Sequence, residues 1–563
     1  MWYRSRLDLG SVLKGGGMFA DTIFRHSEIR PLAYDTVRVE AIAVHAGRVV
    51  RMGTFEDMRE LLGPSCKVID LPGMVVQPAF HDAHIHLLHL HAHPGHISLG
   101  SVISKAQMVE KIGSSVRQLS DASSWVVAWG LNTDFARKVF ADTPGLLSEE
   151  FGDVRVIITT RDGHGAWLTK AAFEALDESV HDELATMDRN VSRYGDDPVM
   201  VHITERALGV VRKAVEDIEN QPSVAQLRQR ISETLRYGVV CSHEAMIESE
   251  DIPMLEQFFA EHPIQITGRI HGMMHARSGE WSWLKERQPI WGSFDGRLSL
   301  GTVKAFLDGS LGSGTAWMSA DQEPPAMRPD ELKEIADFCV AEGFQLAVHA
   351  IGRQAVREAL DVMESARPMT PEPYHTKAPL WRIEHAEFVE ATDIHRAAHL
   401  GVVLSVQPLH LPLDAPILKA RYQEHLQVAF PWTDFTDAGV PLALGSDAPV
   451  TECRPLANLR VACGPARRDL FGAHDAPLLL HALSPDVALH AHTVGGAVAA
   501  LGKLGTGTLM SQQPADFVVL DGDPLRSSPE TFEQIEVLET WAGGVLVVQP
   551  EADPQDLELD LDD

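Results

Sequence analysis

Four times in this chain a helix-like stretch ends in glycine, an apolar strand follows, and the strand closes on a polar residue. The strands are "VVCSH" after Gly238, "FQLAVH" after Gly343, "VVLSVQ" after Gly401 and "VPLALGSD" after Gly439. A glycine after a helix takes the left-handed conformation without a Cβ clash. Near-continuous apolar strands alternating with helices indicate a parallel sheet covered on both faces. In "DELKEIADFCVAEG" the residues Leu332, Ile335, Ala336, Cys339 and Val340 follow the i, i+3, i+4, i+7, i+8 stripe of an amphipathic helix. "MVVQPAFHDAH", "IQITGRIHG", "LSLGTVKAFLDG" and "LWRIEH" read as further strands of the same kind, which makes eight. Eight is the number that closes a β/α barrel.

The remaining segments fit around that barrel. Over 100 residues separate the first and second strands, so residues 97–225 are expected to form an insertion over the barrel mouth. Residues 18–75 and 501–548 are rich in short strands and turns, as in "VEAIAVHAGRVVRMG" and "ADFVVLDGDP". They are expected to pair into one composite β-sandwich, leaving 76–500 for the barrel. The end, 549–563, is an acidic run that reads as a flexible tail.

Composition narrows the partners. The net charge of -31 argues against nucleic acid or an anionic membrane. Cys66, Cys241, Cys339, Cys453 and Cys463 contain no CxxC pair, which fits reduced thiols better than a disulfide framework or a thiolate zinc site. The opening "MWYRSRLDLGSVLKGGG" has no continuous apolar core, and no apolar run reaches membrane-spanning length. A soluble cytoplasmic protein is the expectation, and a homo-oligomer is the common default for such enzymes.

In a β/α barrel the active site lies at the C-terminal strand ends. The polar residues at those ends are His84 and His86 in "HDAHIHL", Lys304 in "GTVKAFLDGS", His349 in "LAVHAIG", His385 in "RIEHAE" and Asp447 in "LGSDAPV". Residues two apart on a strand point the same way, so His84 and His86 can share one ion. Imidazole and carboxylate on rigid strand ends suit zinc or a similar divalent metal. Any one such histidine is ordinarily a hydrogen-bonded core residue, but five strand ends of this kind in one barrel point to a metal site. The tract "HDAHIHLLHLHAHPGH" holds seven histidines and does not itself say which are ligands. His89, His91 and His93 lie past the expected strand end and read as loop or helix residues.

The motifs "VVQPAFHDAHIHL", "DGHGAWLTKAAFEAL", "VKAFLDGSLGSGTAWM", "VHAIGRQAV", "WRIEHAEF", "SVQPLHL", "LALGSDAPV" and "ADFVVLDGDP" occur in an order that resembles the amidohydrolase superfamily. The likeness is to its YtcJ-like branch (amidohydrolase family 3), which includes N-substituted formamide deformylases. It implies a distorted (β/α)₈ barrel with a composite β-sandwich. It also implies that His84, His86, His349, His385 and Asp447 are ligands. Lys304 falls where many superfamily members carry a carbamylated lysine between two metals. The alternative for Lys304 is an ammonium paired with an acid such as Asp308. The sequence departs from the family pattern at Ala79, at His81 and at Arg353, where a glycine, an apolar residue and an acid are usual.

The implied reaction is hydrolysis of a non-peptide C–N bond by metal-activated water, with one or two zinc ions and Asp447 as proton acceptor. His164 and His410 are candidates for holding the substrate, and each could equally make a structural hydrogen bond. Trp129, Trp167 and Trp317 are candidates for an apolar pocket, though buried tryptophans more often simply pack. "GSLGSGT" lacks the Lys-Ser/Thr of a phosphate loop and fits the loop after the fourth strand. The same metal site also suits an ester, lactone or phosphotriester. A non-catalytic scaffold is the remote alternative, which loss of ligands would mark, and here every ligand position is filled.

Overall fold

A computed structural model describes residues 19–32, 39–88, 96–119, 124–187, 190–195, 200–215, 223–366, 380–464, 481–500 and 506–548. His89, His91, His93, the basic opening and the acidic tail lie outside the described residues.

Eight parallel strands form the barrel: β1 (Phe80–Ile85), β2 (Val239–Ile247), β3 (Arg269–His275), β4 (Leu298–Phe306), β5 (Gln345–Ala350), β6 (Arg382–His385), β7 (Val403–Val406) and β8 (Leu442–Leu444). They pair in chain order, and a short antiparallel strand, Ile290–Gly292, adds to β4. Gly238, Gly343, Gly401 and Gly439 all have φ between 67° and 79°, the left-handed turn that launches the next strand. Two expectations need correction. "IQIT" is a helical turn, Ile264–Thr267, because Pro263 caps it and Gly268 stops it, and β3 begins only at Arg269. Along Pro329–Glu342 the residues Leu332, Ile335, Ala336 and Cys339 are buried, but Val340, in the last turn, is 47% exposed.

Among the described residues no strand ladder joins β8 to β1, and the seam is closed in two other ways. At the mouth, Asp447 N donates to His84 O (2.7 Å) and His86 N to Ala448 O (2.9 Å). The buried Asp82 carboxylate staples the same seam, accepting from Ser446 N (2.9 Å) and His84 N (3.2 Å). Gly445 permits the approach, since a Cβ there would lie 2.4 Å from His84 N. Lower down, the helical segment 491–499 plugs the gap, and a Cβ on Gly496 would sit 2.3 Å from His81 Cβ. Its last carbonyl, Ala499 O, accepts from Gln345 Nε2 inside the barrel (3.0 Å).

The chain ends meet in one eight-stranded sheet, where Val75–Pro78 pairs antiparallel with Phe517–Leu520. Val75–Pro78 lies in this sheet and β1 starts at Phe80, so Ala79 is the crossing point between the two bodies. Phe24, Phe517 and Trp541 fill its inner face with ring centroids 4.7–5.6 Å apart. Each such aromatic pair adds about 0.5–1.5 kcal/mol beyond its burial.

Between β1 and β2 the chain builds a second α/β body. Its six-stranded sheet runs from Ile97–Ser98 to Met200–Thr204, with an apolar core on each face. Helix Val224–Arg236, opened by a Ser223–Gln226 capping box, then returns the chain to the barrel.

Candidate metal centre at the barrel mouth

The strand pleat and two unusual backbone turns bring the polar strand ends together. Asp82 and His84 share a face of β1, and Arg382 and Glu384 share a face of β6. His385 would continue outward, but its φ of 75° turns the ring back over the mouth. Asp447, with φ 57°, is turned in the same way at the end of β8. Left-handed backbone at non-glycine residues is strained, and such strain concentrates at functional sites.

Asp447 Oδ1 lies 3.4 Å from His84 Nε2 and 3.2 Å from His86 Nε2, while its Oδ2 lies 3.2 Å from His410 Nε2. His84, His385 and Asp447 each present a ligand atom within 4.8 Å of the other two. The His385 ring is 4.3 Å from that of His349 and 4.8 Å from that of His84. All of these side chains are buried. His84, His86, His349, His385 and Asp447 therefore lie together, and the buried Lys304 places its Nζ 4.6 Å from the centroid of the Phe306 ring, itself 5.0 Å from the His349 ring.

The electrostatics suit a cation. Burial, reinforced by neighbouring positive charge, holds His349 and His385 well below the ordinary histidine range and His84 at about 4, so each offers a neutral imidazole. His84 Nδ1 donates to Glu384 Oε2 (2.6 Å), which leaves Nε2 with its lone pair toward Asp447. Arg382 in turn grips Glu384 through Nε (2.6 Å) and Nη2 (3.1 Å). Carboxylates behind ligand histidines orient the ring and raise its basicity in this way. Burial opposes the Asp447 charge, yet His84, His410 and His86 hold it ionised well below the carboxylate range.

The donor set fits a divalent ion. Lys304 Nζ and His385 Nδ1 are fully buried and have no hydrogen-bond partner among the described residues. Burial pushes the Lys304 ammonium down to about 8, against the pull of Glu384 and Asp447. Asp308 is not its counter-ion. That carboxylate accepts from the backbone N–H groups of Trp317 (2.9 Å), Ile351 (3.0 Å) and Gly352 (2.8 Å), tying the loops after β4 and β5 together.

Two histidines approach from the rim. His164, on a loop of the inserted body, places its ring 5.0 Å from His349 and its Nδ1 3.1 Å from Glu205. Burial works against its charge, but Glu205 pushes it up to about 9. His410, after β7, faces Asp447 with one nitrogen and Glu387 Oε1 with the other (3.1 Å), and the two carboxylates raise it well above the ordinary range. "GSLGSGT" is the loop after β4, clamped to the inserted body by Ser310–Asp162 and Thr315–Glu205 hydrogen bonds. A cavity of about 400 Å³ leads outward from His86 and His164 past Phe306, Met246, Leu208 and Met327.

The tryptophans take other places. Trp167 stacks on His202 at 4.2 Å inside the inserted body, and buried Trp317 donates to Ser319 O and Gln322 O. Neither they nor Trp129 lines the cavity. Arg353, at the usual acid position, donates to Met318 O (2.7 Å) and pairs with Glu390 (3.3 Å), away from the cluster. Glu384, Arg382, Glu205 and Glu387 were missed from the sequence. The one available signal was the polar alternation of "RIEH" within an otherwise apolar strand.

Comparison with known proteins agrees with this architecture. The amidohydrolase family model matches residues 67–548. The Bacillus subtilis (strain 168) protein YtcJ is 25% identical, covering 91% of this chain and 96% of that protein. The N-substituted formamide deformylase of Arthrobacter pascens is 23% identical, covering 93% and 98%. The crystal structure of an uncharacterized metal-dependent hydrolase from Pyrococcus horikoshii superposes with a TM-score of 0.67 at 22% identity, covering 90% of this chain and 99% of that one. Among the described residues no helix is long and apolar enough to cross a membrane. With a family match over most of its length and a mouth cluster of this composition, the chain belongs to the amidohydrolase family.

Proposed function

We propose that the protein hydrolyses the C–N bond of an N-substituted amide or formamide-like small molecule, with zinc at the mouth cluster. The observation that carries this reading is the convergence of His84, His86, His349, His385 and Asp447 at the barrel mouth, with the buried Lys304 Nζ making no hydrogen bond among the described residues. The similarity to a protein named N-substituted formamide deformylase supports the choice of bond.

When bound, a divalent ion supplies a water acidic enough to ionise near pH 7 and a Lewis acid for the substrate carbonyl. His84, His86, His349, His385 and Asp447 are the residues that would hold it. Lys304, as its carbamate, would add an oxygen ligand and allow a second ion. Asp447 Oδ1 belongs to the ligand cluster, whereas Oδ2 faces His410, so one carboxylate can both bind and accept the proton of the attacking water. It then returns that proton to the leaving amine. His164, charged by Glu205, donates toward the oxygen on which negative charge develops, and His410, held between Glu387 and Asp447, orients the Asp447 carboxylate beside it. The cavity of about 400 Å³ falls in the size range of small-molecule sites, and Phe306, Met246 and Met327 give the N-substituent an apolar wall.

The test is a panel of N-substituted formamides, amides, esters, lactones and phosphotriesters, offered to the zinc-loaded enzyme with amine and acid release followed together. Turnover of formamides or amides above the others is expected. Turnover confined to the oxygen esters would keep the site but overturn the bond assignment.

A further inference from the structure

The barrel holds a second set of ligand-type side chains, one layer below the mouth. β1 and β2 run in parallel register with Cys241 opposite His81, and β2 and β3 with His243 opposite His271. Cys241 and His243 are two apart, so both lie on one face of β2. His81, Cys241 and His243 are each buried, and a ligand atom of each lies within 4.8 Å of the other two. They share no member with the mouth cluster.

Barrel interiors are ordinarily layers of branched apolar side chains. This layer instead carries His81, His243 and His271, with His492 packed against the seam beside them. Among the described residues, His81 Nδ1 and His243 Nε2 are fully buried without a hydrogen-bond partner. Leaving such groups unmet in a dry interior is unfavourable.

We propose that His81, Cys241 and His243 bind a structural divalent ion of borderline or soft character, zinc by its ligand preference, at a site separate from the mouth. Two imidazoles and a thiolate without a carboxylate select against magnesium or calcium. Metal binding releases the Cys241 thiol proton, and both imidazoles bind as neutral ligands, so the Arg382 Nη1 hydrogen bond to His243 Nδ1 (2.9 Å) gives way as that ring's proton moves to Nδ1.

Cobalt substitution tests this, because sulfur is absent from the mouth cluster. The full chain is produced in cobalt-supplemented minimal medium, which lets the ion enter during folding. A near-ultraviolet thiolate-to-cobalt band is expected in the wild type. Cys241→Ser should lose that band and one metal equivalent per chain, while keeping the visible cobalt bands of the mouth. Cys339→Ser, at a buried thiol on the helix after β4, should keep both. Absence of the near-ultraviolet band in a chain whose visible bands are present, or its survival in Cys241→Ser, overturns the lower site and leaves the mouth reading intact. If Cys241→Ser does not fold, X-ray absorption on the wild-type zinc protein decides instead. A sulfur shell at about 2.3 Å supports the site, and a purely nitrogen and oxygen shell overturns it.

Discussion

The floor and the rim of the mouth use the same residue type in opposite states. On the floor His84, His349 and His385 are held neutral, whereas on the rim His164 and His410 are held charged. A carboxylate neighbour alone does not explain the difference, since His84 hydrogen-bonds Glu384 as closely as His164 does Glu205. The surroundings decide it. Glu384 already serves Arg382, and Lys304 adds positive charge beside His84. Among the described residues Glu205 is hydrogen-bonded by a hydroxyl and an imidazole, and His410 sits between two carboxylates. One histidine set can therefore bind a cation while the other stabilises an anion.

The sharpest break of this contrast is Asp447→Asn, which removes the proposed floor ligand and the proposed proton acceptor together. A loss of kcat of about 10⁴-fold is expected, at the upper end for general acid–base groups. On the rim, His164→Ala should lower kcat by about 10²-fold with metal content unchanged, as for one lost oxyanion donor. If metal content falls instead, His164 belongs with the floor. Glu384→Gln should cost about 10–100-fold in metal affinity by freeing the His84 ring. Isothermal titration of the metal-stripped chain measures it.

The smallest expected effect is on stability. His164 has a folded pKa of about 9, above the ordinary 6.5, so its pairing with Glu205 stabilises the fold fully below pH 6.5. That contribution fades as the pH rises through about 9. The Tm difference between wild type and His164→Gln should follow the same course, and a difference that grows with pH would contradict the charged rim.

Much of the floor was legible because barrel strands are apolar runs, and a polar residue closing one has few reasons to be there. The glycines at 238, 343, 401 and 439 marked where such strands begin. What stayed hidden depended on contacts between distant segments. Glu205 meets His164 from 41 positions away and Glu387 meets His410 from 23, and neither sits in a pattern of its own. His385 reaches the mouth through a backbone turn that strand alternation argues against. The inserted body read only as a long gap, although its sheet buries Trp167 and delivers His164. Its strands pair partly antiparallel and partly parallel, so no single period runs through them.

The most direct test of the central claim is metal stoichiometry with activity, measured on the wild type and Lys304→Ala after expression with zinc and bicarbonate. Metal at the mouth cluster is expected, with hydrolysis of an N-substituted formamide that disappears on chelation and returns with zinc. The variant is expected to hold one equivalent fewer. A wild-type chain that binds no metal at the mouth, or that hydrolyses the substrate equally well after complete metal removal, would contradict the account.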